Sequence, residues 1–400
     1  MKILHVTPSY EPAWHLGGVV RAVSQLCRGL AHLGHKVTVF TTDSGVVRRL
    51  PIPVNQPLEV GGVKVYYFKT DISLRYYFSC SLAKACRDGI KDFDIVHITS
   101  FWCYPGVPAV NGALLYNVPY LLSVHGTLRK SALQDKFLKK YVYFNLVEKR
   151  HIRKAAALHY TTSMERDLDA FHHFTSPSFI VPNGTDLKEV QKSISRQEAR
   201  KRLALNFDGP VIAFLGRLSP VKALDLLIKA ISSLSFADQD LRVLLAGPDE
   251  GAAASLQNLV TEVGLQARVR FLGEIGPQER MVLFAASDLL TLVSTHENFG
   301  YAAVEAMLAG LPVLVTETVG ISREVAEDGA GLVVPLEVAA IAKGLKDMLA
   351  DPDKLKAMGQ AAAVAARKRY DIRNVAQEMA TAYEDILTGR RSPGLFWSDQ

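Results

Sequence analysis

The chain has 400 residues, 48% hydrophobic and 22% charged, with a formal net charge of +6. That length exceeds one ordinary core and points to two domains, and no apolar run approaches the roughly 18 residues of a membrane-spanning helix. The modest positive charge suits anionic ligands or a membrane surface and does not by itself imply nucleic acid.

The N-terminus, MKILHVTPSYEP, is too short in its apolar part for a signal peptide and reads as a first strand over residues 3–7. A loop with Gly17-Gly18 follows, then a helix with Val20, Val23, Leu26, Leu30 and Leu33 at helical spacing. Lys36–Thr41 is a second strand, so the chain opens as strand, glycine loop, helix, strand, the mark of a parallel sheet with crossover helices. Gly17 and Gly18 would let the backbone approach a phosphate; a plain tight turn is the competing reading, and no GxGxxG supports dinucleotide binding.

Further strands are expected at Val63–Phe68, Asp94–Ile98 and Tyr120–Val124. The last ends in His125-Gly126-Thr127, at the sheet edge where open α/β folds bind ligands, so His125 is a candidate to hydrogen-bond a ligand. His97 closes the preceding strand and is expected to pack or bond locally. Residues 129–154 then turn basic, with Arg129, Lys139, Lys140, Lys149, Arg150 and Lys154 interleaved with Phe137, Leu138, Tyr141, Val142 and Leu146. A pair of basic amphipathic helices here could face an anionic membrane or acceptor, although a solvated charged face is an equal reading. No recognisable nucleic-acid module accompanies the patch, and no nucleic-acid partner is expected.

Strands at Ala156–Thr161 and Phe179–Pro182 complete the first half, and Asn183-Gly184-Thr185-Asp186 forms a turn before a polar helix at about 195–205. The rhythm restarts with Val211–Leu215, followed by Gly216-Arg217-Leu218-Ser219-Pro220-Val221-Lys222 and a helix bearing Leu224, Leu227, Ile228 and Ile231. Arg217 and Lys222 thus lie in a loop and helix start after a buried strand, two cations suited to a diphosphate without a metal. Strands follow at Leu241–Ala246, Val269–Leu272, Leu289–Val293 and Leu311–Val315. After Val293 the stretch THENFGYAAVEAMLAG carries Glu297 in a strand-to-helix loop and Glu305 within the helix. Asn298, Phe299 and Gly300 place backbone N–H groups at that helix start, where anions are favoured. Two doubly wound, Rossmann-like α/β domains are the resulting fold class.

Other patterns carry no site. DxD triplets at Asp167–Asp169, Asp238–Asp240 and Asp351–Asp353 do not follow buried strands, and His32/His35 and His172-His173 lack further zinc ligands, so no metal is expected. Cys27, Cys80, Cys86 and Cys103 have no ligand spacing and read as buried thiols of a cytoplasmic protein.

Glu297-x7-Glu305, Gly216-Arg217-Leu218-x3-Lys222, Val181-Pro182-Asn183-Gly184 and Gly17-Gly18 together resemble the retaining glycosyltransferases of the GT-B fold, family four. The resemblance implies two Rossmann-like domains facing across a cleft: residues 1–188 on the acceptor side, 189–370 binding a nucleotide-sugar, a terminal helix 371–388 returning to the first domain, and a tail 389–400. It implies a nucleotide-sugar as donor substrate and no separate cofactor; a glycan or polyprenyl-linked acceptor is expected from the basic helices of residues 129–154 alone. Glu297 would contact the donor sugar, Glu305 the ribose, Arg217 and Lys222 the departing diphosphate. Gly17 and Gly18 would approach that diphosphate, His125 the sugar, and Asn298, Phe299 and Gly300 would present backbone donors, with Ile275 bordering the base. One departure stands out: the family usually has glycine after the lysine, and this chain has Ala223. A sugar-nucleotide epimerase, a phosphorylase or a non-catalytic scaffold at the membrane are the alternatives. The location implied is cytoplasmic, peripheral at the inner membrane face if the basic residues 129–154 touch lipid. The tail is expected to be disordered, with Leu395, Phe396 and Trp397 able to touch a membrane.

Overall fold

The computed structural model describes residues 1–72, 74–129, 137–170, 177–190, 194–234, 241–390 and 396–397. The expectations on Asp238–Asp240, on His172-His173, and on residues 130–136 and 391–395 fall outside them. The chain divides into two compact units, Met1–Thr185 with Ile372–Gln400, and Asp186–Asp371.

The first unit holds strands β1 (Lys2–Val6), β2 (Lys36–Thr42), β3 (Pro57–Val60), β4 (Val63–Phe68), β5 (Ile95–Ile98), β6 (Tyr120–Ser123), β7 (Ala157–Tyr160) and β8 (Ser178–Ile180). The second holds β9 (Val211–Leu215), β10 (Arg242–Ala246), β11 (Val269–Gly273), β12 (Leu289–Leu292), β13 (Val313–Thr316) and β14 (Gly331–Val334); β15 (Phe396–Trp397) returns to the first. The first sheet runs β15-β8-β7-β6-β5-β1-β2-β4-β3 and the second β11-β10-β9-β12-β13-β14. Among the described residues, every pairing in the second sheet is parallel, and the first departs from parallel only at the β3–β4 hairpin and at β15 against β8.

The apolar strands are explained by burial on both faces. Ile3, Val37, Val39, Ile95 and Leu121 enter one cluster of the first unit, while Leu4, Val6, Phe40, Val96 and Leu122 enter another. Alternate residues of a strand point to opposite faces, so continuous Val/Ile/Leu runs are what a helix-covered parallel sheet requires. The helix Gly18–His32 covers one of these faces together with the terminal helix Ile372–Thr388, whose Ile372, Val375, Met379 and Tyr383 are buried in the same cluster. In the second sheet the strand order reverses between β9 and β12, and in such folds ligands bind beyond the carboxyl ends of the strands at that switch point.

Several expectations are corrected. Strands β3 and β14 were not anticipated: β3 is a four-residue edge strand beginning at Pro57, and β14 opens on Gly331, both weak strand signals. The tail is not wholly irregular, since Phe396–Trp397 pairs with Ser178–Phe179. Of the stretch expected to form a basic helix pair, the described residues 137–154 make one helical run, Phe137–Tyr143 and Lys149–Lys154 joined by a π-helical segment Phe144–Glu148. Cys27, Cys86 and Cys103 are buried, but Cys80 is exposed at a helix start.

Candidate active site

The loops after β9 and β12 are stitched together at the switch point of the second unit. The Val221 carbonyl accepts from the Thr295 N–H at 2.8 Å, the Ser294 hydroxyl at 2.9 Å and the Thr295 hydroxyl at 3.2 Å. On the other side, the Gly320 N–H donates to the Glu297 carbonyl at 2.9 Å, and Glu297 bridges to Val319. A Cβ on Gly320 would sit 1.8 Å from the Asn298 carbonyl oxygen, so only glycine allows this close backbone approach. Glu297 is thereby held by backbone contacts on both sides rather than left on a free loop.

Three carboxylate–cation pairs occupy this region. Lys222 Nζ donates to Glu297 Oε2, with both side chains largely buried. Arg280 Nη1 donates to both Glu305 oxygens, at 2.8 and 3.1 Å, and the Glu305 side chain is 4% exposed. Arg217 Nη1 donates to both oxygens of Glu250, at 2.9 and 2.8 Å, in an exposed pair. The cations Arg217 and Lys222, grouped from sequence, are thus divided between different carboxylates. Arg280 and Glu250 were missed; Arg280 lies on the helix Pro277–Ala286, and no spacing in the sequence ties it to Glu305.

The helix carrying Glu305, Tyr301–Leu308, starts from Gly300 at φ 101°, ψ 51°, with no side-chain cap. Its first-turn N–H groups precede any intrahelical acceptor, which leaves partial positive charge beside Asn298, Phe299 and Gly300. The Phe299 side chain itself is core, 5.6 Å from the Tyr370 ring, so any ligand contact from this residue is a backbone one. Ile275 is half-buried against the second core, just before the helix that bears Arg280. Ala223 adopts φ 43°, ψ 36°. Glycine adopts that left-handed conformation without the steric cost that the alanine Cβ meets.

In the first unit, Gly17 has φ 95° and precedes the helix Gly18–His32; Gly17 is half-buried and Gly18 exposed. His125 follows β6 at φ 47°, and Gly126 at φ 75°. The Gly126 N–H donates to Glu165 Oε1, while Glu165 Oε2 accepts from the Thr161 N–H at 2.7 Å and hydroxyl at 2.6 Å. Glu165, fully buried and unnoticed in the sequence, fixes the turn that presents His125.

Behind that turn lies a chain of buried histidines. The His159 Nε2–H donates to the Val181 carbonyl at 2.8 Å, which can only accept, so His159 Nδ1 accepts from the Ser123 hydroxyl at 2.6 Å. Ser123 then accepts from His97 Nε2–H, and His97 Nδ1 accepts from the Tyr383 hydroxyl at 2.6 Å. His97 therefore bonds a residue 286 positions away rather than locally. Burial depresses the His125 and His159 imidazoles to about 4 and His5 to about 3, and pushes His97 well below the usual histidine range. His125 is consequently neutral at physiological pH.

Asp169 accepts from the Tyr160 hydroxyl at 2.6 Å, and Asp351 caps the helix Pro352–Tyr370.

The profile of the family described as "Glycosyltransferase Family 4" matches residues 16–189, and that of "Glycosyl transferases group 1" matches residues 195–364. The D-inositol 3-phosphate glycosyltransferase of Corynebacterium urealyticum is 32% identical across 93% of this chain and 91% of its own length. The chain is a family four glycosyltransferase. The enzyme of the same description from Corynebacterium aurimucosum is 28% identical over 96% of this chain and 95% of its own. Among solved structures, Anabaena HepE in complex with UDP superposes on this glycosyltransferase with a TM-score of 0.77, 23% identity, and coverage of 96% of this chain and 100% of the other. Sucrose-phosphate synthase from Thermosynechococcus elongatus gives a TM-score of 0.74 at 21% identity, covering 97% and 99%. These two likenesses show the shared GT-B fold class.

Proposed function

We propose that this glycosyltransferase moves a hexose from a nucleotide-sugar to a lipid-linked or polysaccharide acceptor, with retention at the anomeric carbon and without a metal ion. The observation that carries the donor half is the Lys222–Glu297 pair, fixed at the switch point of the second sheet. As the bond from the anomeric carbon to the diphosphate oxygen breaks, the electron pair stays on the oxygen. The ammonium of Lys222, the guanidinium of Arg217 and the Gly300 helix start are suited to that growing charge. Glu297, once Lys222 turns to phosphate, is free to accept from sugar hydroxyls, and Glu305 from ribose hydroxyls. Asn298, Phe299 and Gly300 offer backbone donors, and Ile275 an apolar edge for the base. On the first unit, Gly17 and Gly18 are assigned to phosphate and His125 to the sugar. A neutral imidazole can accept a hydroxyl hydrogen bond without adding like charge beside a cation-like sugar.

The acceptor half rests on the basic, apolar helix of residues 137–154. The relatives named for D-inositol 3-phosphate supply a second acceptor class, a small phosphorylated polyol. The test is nucleotide release from a panel of UDP- and other nucleotide-sugars with polyprenyl-phosphate-linked glycan or inositol 3-phosphate. Product anomers are read by NMR and the rate is compared with and without EDTA. Release only with a sugar-nucleotide, the same anomer in product as in donor, and no EDTA effect are expected. An inverted anomer or an EDTA-sensitive rate would overturn those parts.

A further inference from the structure

One helix of the first unit presents an apolar face to solvent. Phe137, Leu138, Tyr141, Val142 and Leu146 are 62%, 74%, 58%, 48% and 76% exposed, although contiguous apolar surface of this kind is normally covered. Leu138, Val142 and Leu146 follow one another at intervals of four and, with Lys139, Tyr143 and Val147, line a shallow cavity of about 450 Å³. A spacing of four drifts around an α-helix of 3.6 residues per turn. The wider turn at Phe144–Glu148 opposes that drift and keeps the three in line.

The orientation of this face is fixed from behind. Phe144 and Ile152 are buried in the core of the first unit, Glu148 Oε1 accepts from the Trp102 N–H at 3.0 Å, and the Tyr143 and Tyr76 hydroxyls lie 3.2 Å apart. The apolar stripe therefore cannot turn inward without breaking those contacts. The same run carries Lys139, Lys140, Lys149, Arg150, Arg153 and Lys154, and its one acid, Glu148, is buried beside His151.

We propose that this face seats on an anionic lipid bilayer, with Leu138, Val142 and Leu146 at the acyl boundary and the cations among the headgroups. Charge complementarity selects the occupant. A second copy would set these cations against their own kind, whereas an anionic bilayer accepts both the stripe and its flanks. No helix among the described residues is long and apolar enough to cross a membrane, so the contact lies on the surface. The seat deepens the acceptor half of the proposed function and stands apart from the donor half.

The full chain is floated with vesicles of phosphatidylglycerol and phosphatidylcholine, or of phosphatidylcholine alone, at low and high salt. Binding is expected only to the anionic vesicles and is released by salt. Leu138→Ser/Leu146→Ser should lose at least about tenfold in partitioning, and Lys139→Gln/Lys140→Gln roughly fivefold per charge. The UDP-induced thermal shift, which reads the donor half alone, should be unchanged in both, which separates failure of the seat from failure of the transferase reading. Equal partitioning of wild type and the leucine variant, or equal binding to neutral vesicles, overturns the proposal. So does a wild-type dimer in solution that the leucine variant abolishes, which would assign the face to a second copy.

Discussion

Arg280 spans both carboxylate oxygens of Glu305 from a single nitrogen, although the two residues lie on different helices 25 positions apart. The Glu305 side chain is almost wholly buried, and Arg280 compensates its charge and aims its oxygens. Arg280→Ala should destabilise the second unit by about 2 kcal/mol, since it takes a charge-assisted donor from a buried carboxylate while Arg280 itself is partly solvated. If Glu305 holds the ribose as proposed, the substitution should also weaken binding of a UDP probe, with Arg280→Lys restoring stability better than affinity, because a point charge lacks the guanidinium's planar reach. Urea unfolding and calorimetric UDP titration of the two variants check this.

The Lys222–Glu297 pair makes a different prediction. If Lys222 serves the leaving diphosphate, Lys222→Ala should lower kcat/KM by about 10²–10³, well beyond the roughly 1 kcal/mol of stability lost when the largely buried Glu297 carboxylate loses its cation. Glu297→Ala should lower it comparably, and the double variant should fall short of the product of the two losses, because the residues share one interaction. Steady-state kinetics of the two single variants and the double variant decide it. Full activity in both single variants would remove the pair from the chemistry.

These two pairs show what a sequence can and cannot reveal. Glu297, Glu305, Arg217 and Lys222 were legible because each follows a buried strand in a recognisable rhythm, and parallel strands with long apolar runs made the two doubly wound sheets legible too. Arg280, Glu250 and Glu165 were not, because their importance lies in contacts that only the fold creates: Glu165 meets Gly126 across 39 positions and Arg217 meets Glu250 across 33. The short strands β3 and β14 escaped for a different reason, since edge position replaces hydrophobic periodicity as the cause of pairing. Ala223 lies between these cases. Its departure from glycine was visible at once, while its cost appears only with the left-handed φ of 43°.

That strain yields a prediction of unusual sign. Ala-to-glycine changes at helix starts and interiors commonly cost up to about 1 kcal/mol, but Ala223 already bears the expense of a left-handed backbone, about 1–2 kcal/mol for an L-residue. Ala223→Gly should therefore be neutral or stabilising by up to about 1 kcal/mol, with the loss of one buried methyl limiting the gain. Gly320→Ala should behave oppositely. Its Cβ would overlap the Asn298 carbonyl at 1.8 Å, and the backbone shift should cost about 2–3 kcal/mol and displace Glu297. Denaturant midpoints give both signs, and a UDP-sugar thermal shift shows whether Gly320→Ala also loosens the site.

The histidine chain predicts how stability responds to acid. His125 and His159 titrate near 4 when folded against 6.5 when unfolded, and His5 near 3, in each case chiefly because burial disfavours the charged ring. Between about pH 4 and 6.5 the unfolded chain therefore holds more protons than the folded one, and stability rises with pH. Each such histidine contributes a slope of up to about 1.4 kcal/mol per pH unit, and above about pH 7 none of them contributes, because both states are neutral. Geometry gives the same sign. Protonating His159 puts a hydrogen on Nδ1, where it now accepts from Ser123, and the reversal runs on through His97 to Tyr383 on the terminal helix. The facing groups relieve it only in part: the Val181 carbonyl and Glu165 favour the charged His159 ring and His125 opposes it, and burial outweighs each of them. Unfolding between pH 7 and 5 should thus show a loss of several kcal/mol confined to the first unit. His159→Gln, which can still donate to Val181 but cannot be protonated, should shallow that slope while leaving the second unit's transition where it was.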